Sequence, residues 1–200
     1  MFDIKKIEKV DSLPNEVIEK CKNFTDKTMK VYKGEYTNRG QTNPGKIRED
    51  FLVGQLGVAC VISLCEKLGF GVTNMKGEKS INCNIGGIWG KNELKIDSII
   101  YRIKTQSILQ SQMYGTSWVF NAIPRDPILD QMEASVIFVL LDNLYGRYRA
   151  YIYPSHQIKE LKFTMPDREA ITRNKVVVLE DNLRCFEGIR TKQMAIEDCI

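Results

Sequence analysis

Seven consecutive residues, Ser135-Val136-Ile137-Phe138-Val139-Leu140-Leu141, carry no charge, and all but the first are apolar. A run of this length is far short of the roughly 20 residues that cross a bilayer. Its β-branched and aromatic content suits a strand buried on both faces. Such a strand must be covered on each side, which predicts an α/β domain with a mixed central β-sheet flanked by helices. Tyr145-Gly146, following Asp142-Asn143, is read as a turn into Arg147-Tyr148-Arg149-Ala150-Tyr151-Ile152-Tyr153, an antiparallel partner with one basic and aromatic face.

The remaining elements follow from spacing. Ser12-Leu13-Pro14-Asn15 predicts a helix start, and Val17, Ile18, Cys21, Phe24 and Met29 carry that helix to about Lys30. Asn43-Pro44 predicts the cap of a second helix, with Ile47, Phe51, Val58, Val61, Ile62, Cys65 and Leu68 at helical spacing and Gly69 as its end. Gly54 and Gly57 on it allow close approach of another element. Glu49 and Asp50 lie near its positive end, where carboxylates are favoured.

Alternation predicts strands over residues 80–85 and 99–106, with reversals at Gly86-Gly87, Gly90-Lys91-Asn92 and Asp97-Ser98. Trp118 is expected as a packing aromatic whose indole N–H is bonded at the core rim. Arg125-Asp126-Pro127 reads as a turn, and residues 176–179 as a last strand. His156 is expected on the surface, since no Ser, Cys or Asp stands near it in a recognisable triad order.

Composition narrows the chemistry. Six cysteines form no C-x-x-C pair and there is one histidine, which argues against zinc and for reduced thiols in a cytoplasmic protein. The start Met1-Phe2-Asp3 resembles no signal peptide, and no membrane association is expected. A net charge of +4 permits a polyanionic partner without requiring one.

On a strand of period two, Arg102 and Lys104 share one face and Tyr101 and Ile103 the other, while Asn82 and Asn84 share a face of theirs. Pairing of those strands would bring two amides toward a lysine at one end of a sheet. Around them stand, in order, Asn38-Arg39-Gly40-Gln41-Thr42-Asn43, Lys46-Ile47, Asp50, Gly54-Gln55-Leu56-Gly57, Lys79-Ser80, Ile103-Lys104-Thr105-Gln106, Tyr114-Gly115-Thr116-Ser117-Trp118-Val119-Phe120 and Asp126-Pro127-Ile128. This ordered set, over roughly residues 36–182, resembles the restriction-endonuclease-like PD-(D/E)xK nucleases of bacteria and phages. In that family acidic residues on one strand and an x-Lys on the next hold a magnesium ion and an attacking water.

The resemblance implies a restriction-endonuclease-like core at 35–182, a helical arm at 1–34 and a tail at 183–200, all within one domain. It also implies double-stranded DNA as partner, a possible homodimer, and Mg2+ as cofactor if the protein is active. The pattern departs where chemistry matters most. Asn82 and Asn84 stand in place of strand carboxylates, Val58 in place of a helix glutamate, and Arg102 in place of the acid before x-Lys; Lys104 is the catalytic position retained. Neutral amides in place of carboxylates weaken a magnesium site sharply.

The expectation is therefore a DNA-binding protein with a degenerate magnesium site and weak or absent cleavage. Arg39, Lys46, Arg48 and Arg102 are its candidate DNA contacts. One alternative is an active magnesium-dependent endonuclease with a displaced carboxylate set drawn from Glu93, Asp97, Glu49 and Asp50. Another is a protein-interaction or regulatory domain that has no nucleic-acid ligand.

Overall fold

The structure is a computed structural model that describes residues 4–37, 43–73, 92–123, 125–166 and 174–183, with the side chains of 31–37 excepted. The expected strand over 80–85 lies outside the described residues, as do Asn82, Asn84 and Arg39.

Among the described residues the architecture is mixed α/β, a curled mixed sheet with three helices. In chain order the elements are β1 (Glu8–Val10), α1 (Asn15–Thr37), α2 (Pro44–Leu68), β2 (Val72–Thr73), β3 (Glu93–Ile96), β4 (Ile99–Ser107), α3 (Ile108–Tyr114) and β5 (Ser117–Asn121). They continue with β6 (Ser135–Leu144), β7 (Arg147–Ile152), β8 (His156–Gln157), β9 (Phe163–Thr164) and β10 (Lys175–Leu179).

The apolar run of residues 135–141 is the interior of β6, whose residues Val136 to Leu141 are all buried. It lies inside a sheet of order β1-β7-β6-β4-β3-β2, with β8 paired to its first residues. β4 runs parallel to it, from Tyr101 opposite Ser135 to Ser107 opposite Leu141. β7 is antiparallel, from Val139 opposite Ile152 to Leu144 opposite Arg147. Its alternation feeds two cores. Ile137, Val139 and Leu141 join α1 and α2 residues such as Ile18, Cys21, Leu56 and Val61. Val136, Phe138 and Leu140 join Trp118, Phe120 and Val178.

The second core is closed by a three-stranded antiparallel sheet, β5-β10-β9, whose strand pairing the sequence does not announce. Trp118 is buried inside that core at 2% exposure, deeper than a rim position, and its indole N–H donates to the Val139 carbonyl at 3.1 Å. His156 is half-buried, with its ring against Phe138 at 6.4 Å between centroids, so it is no simple surface residue.

α1 starts where expected and continues beyond Lys30 to Thr37. α2 has the expected ends: the Asn43 side chain accepts from the Lys46 N–H, and Gly69 at φ 78° closes the helix in the left-handed region. α2 seats directly on β4 because Gly57 carries no side chain; a Cβ there would lie 1.9 Å from Thr105 Oγ1. Among the described residues α2 is the one helix long and apolar enough to cross a membrane, and 56% of its apolar window is buried inside the protein. That is how a core helix meets such a test.

Two hairpins end in two-residue turns, Asp97-Ser98 (φ 46° and 73°) and Tyr145-Gly146 (φ 51° and 82°). Positive φ at both central residues matches the right-handed twist of the flanking strands.

A buried ion cluster as candidate functional site

β4 positions the site. Tyr101 and Ile103 point into the α-helical core, which leaves Arg102 and Lys104 on the face turned toward the second sheet. The register of the β3–β4 hairpin sets Glu93 directly opposite Arg102. One guanidinium nitrogen of Arg102 donates to Glu93 Oε1 at 2.5 Å, and the other donates to Asp126 Oδ1 at 2.7 Å.

Asp126 arrives from the far side as the N-cap of the 3-10 turn Pro127–Asp130, where its Oδ1 also accepts the Ile128 N–H at 3.2 Å. Its second oxygen, Oδ2, takes a hydrogen bond from Lys104 Nζ at 3.1 Å. Lys104 donates again to the Val119 carbonyl at 3.3 Å and lies 4.2 Å above the Phe120 ring. Lys175, bonded to Asn121, adds a further positive charge nearby.

The cluster is dry. Side-chain exposure is 7% for Arg102, 14% for Glu93 and 11% for Asp126. Loss of water around Lys104 holds its ammonium below the ordinary lysine value, with the Asp126 charge opposing that shift and the Arg102 and Lys175 charges adding to it. Burial pushes the Asp126 carboxyl up, but the Lys104 and Arg102 charges with their hydrogen bonds outweigh it, so the net shift is downward. Among the described residues Arg102 Nε, buried, has no hydrogen-bond partner.

Of the residues singled out by sequence, the structure gathers Lys104, Arg102 and Glu93. It keeps others apart from them. Asp97 sits in the hairpin turn, where its carboxylate accepts the Gly71 N–H at 3.1 Å. Glu49 and Asp50 pair with Lys46 on the surface of α2 at 3.2 and 2.9 Å, and Asp50 also accepts from Gln110. Arg48 pairs with Asp26 at 2.7 Å. Val58 faces the α-helical core at 4% exposure.

Asp126 is the member that sequence reasoning missed. Asp-Pro is a turn signal in any chain, and only the fold carries residue 126 back over a strand 22 positions earlier.

Chemically, the cluster sets two carboxylates against one guanidinium and one ammonium. The guanidinium stands between Glu93 and Asp126, where each acid already spends an oxygen on it. A magnesium ion needs such oxygens as ligands and would have to displace Arg102 first. Among the described residues no group of three His, Cys, Asp or Glu side chains is arranged to hold a metal ion. The thiols among the described residues offer no alternative: burial raises Cys21 to about 11 and Cys60 and Cys65 to about 12, which leaves them protonated. Comparison with protein-family models, with curated proteins and with solved structures finds no match to the chain.

Proposed function

We propose that the chain is a cytoplasmic DNA-binding domain of restriction-endonuclease-like build that does not cleave its ligand. The observation that carries this reading is Arg102, a fixed organic cation held between two carboxylates beside Lys104. The resemblance calls for acids on one strand, where Asn82 and Asn84 stand, and an x-Lys on the next, where Lys104 stands; the acids beside Lys104 are instead Glu93, opposite Arg102 on β3, and Asp126. Between them, Arg102 neutralises the acids that a hydrolytic metal would use. A guanidinium presents no exchangeable coordination position, so it cannot lower the pKa of a bound water as a metal does.

DNA enters through the resemblance and the positive net charge. Lys46 and Arg48 on α2 support it, because their partners are exposed acids, and surface pairs worth about 0–1 kcal/mol yield readily to phosphates. Arg102 is removed from the list of DNA contacts by its burial.

The test is a gel-shift and cleavage assay on mixed-sequence duplex DNA with EDTA, Mg2+ or Mn2+. Salt-dependent binding in EDTA with no cleavage in either metal is the expected result. Metal-dependent cleavage that disappears in Lys104→Ala would replace this reading with an active endonuclease.

A further inference from the structure

The tip of the β6–β7 hairpin carries a side chain for which the fold has no use. Tyr145 is 97% exposed and sits at φ 51°, a left-handed conformation that asparagine, aspartate or glycine adopts more readily than tyrosine. The turn beneath it is well defined: Gly146 at φ 82° follows, and its N–H donates to Asn143 Oδ1 at 3.0 Å. The chain therefore holds a large aromatic in water on a rigid mount, at a position where Asn would be more stable.

Beside it in the hairpin stands a cation that no neighbouring acid balances. Leu144, itself exposed, lies opposite Arg147 in the register, and Arg147 has no acidic partner among the described residues. Behind the tip, Tyr148 lies within electrostatic reach of Lys22 on α1 and Arg48 on α2, which are themselves paired with the exposed acids Glu19 and Asp26.

We infer that Tyr145 is a stacking platform for an unpaired nucleobase, with Arg147 taking the adjoining phosphate of a single strand. An aromatic face accepts any base without reading its edges, and a neighbouring guanidinium anchors the backbone. A base inside a duplex presents no free face, so the tip selects for single-stranded or frayed ends. A protein pocket is the weaker match, since it would accept the ring but gain nothing from an arginine left without an acid. The inference rests on the DNA-binding reading above and adds to it the form of DNA engaged.

The experiment is fluorescence anisotropy with a labelled oligothymidine and, separately, a labelled mixed-sequence duplex. It uses the full chain as wild type, Tyr145→Asn, Tyr145→Phe and Arg147→Gln, with Tm measured for each. Tyr145→Asn is expected to weaken oligothymidine binding about 10- to 100-fold. The same change should raise Tm by about 2–4 °C, because Asn tolerates the turn conformation. Stability and affinity then move in opposite directions, which excludes misfolding as the cause. Tyr145→Phe keeps the ring and should keep the affinity, and Arg147→Gln should reduce the salt dependence.

Unchanged oligothymidine binding in Tyr145→Asn, with duplex binding intact, overturns this inference and leaves the DNA-binding reading standing. A wild type that binds neither DNA overturns both. A dimer that Tyr145→Asn dissociates would identify a second copy of the chain as the occupant and overturn it as well.

Discussion

Replacing Arg102 with methionine tests the idea that the cluster is balanced by charge and not merely filled by volume. The two side chains are of similar length, so packing changes little while one positive charge and two short hydrogen bonds, at 2.5 and 2.7 Å, are removed. Two carboxylates would then share Lys104 alone, with one of them buried and unpaired. Breaking a buried pair from one side typically costs about 3–5 kcal/mol. For a chain of this size each kcal/mol lowers Tm by about 2–4 °C, so Arg102→Met should lower it by roughly 6–20 °C. Adding Glu93→Gln restores one carboxylate to one ammonium and leaves the Asp126–Lys104 contact in place. The double variant should therefore recover at least half of the loss. Urea unfolding followed by circular dichroism measures both. A cost below about 1 kcal/mol for Arg102→Met, or no recovery on adding Glu93→Gln, would refute the charge-balance argument.

Three further outcomes are expected. Thr105 Oγ1 is buried and has no hydrogen-bond partner among the described residues, so Thr105→Val, which removes the hydroxyl at nearly constant shape, should raise stability by about 1 kcal/mol in the same urea assay. Asp126 has a folded pKa below its ordinary 3.8, so its contribution is complete above that value and is lost as pH falls through the lower folded one; the Tm difference between wild type and Asp126→Asn should be constant near neutrality and shrink below about pH 4. Val58→Glu, the change that the family pattern suggests for rebuilding a metal site, puts a carboxylate into an apolar core and should cost at least about 2 kcal/mol; the Tm of the single variant, measured with and without Mn2+, checks this, and full stability would show that the helix can turn that face to a ligand.

What was legible in the chain is what short-range patterning controls. The run at 135–141 announced a strand covered on both faces, and Asn43 with Gly69 marked the ends of α2, because caps and periodicity are local properties. Alternation likewise put Arg102 and Lys104 on one face, whereas Glu93 was only one of four candidate carboxylates and its place opposite Arg102 comes from the hairpin register. Asp126 escaped because its role depends on a loop folding back over β4, which no local pattern encodes. The second sheet escaped for a similar reason: Ser117–Asn121 and Lys175–Leu179 pair across more than fifty residues, and each alone is an ordinary short strand.

The pairing of β6 also sets an order of events during folding. On one side it meets β7 through a two-residue turn, a contact that closes within microseconds in isolated hairpins. On the other it meets β4 in parallel, with Ile103 opposite Ile137, and that contact must wait for the intervening loop to be gathered in. Until it closes, β6, the most apolar strand among the described residues, presents an unpaired edge to its neighbours in solution. Yield on overexpression should therefore respond to temperature more steeply than the stability of the finished protein does.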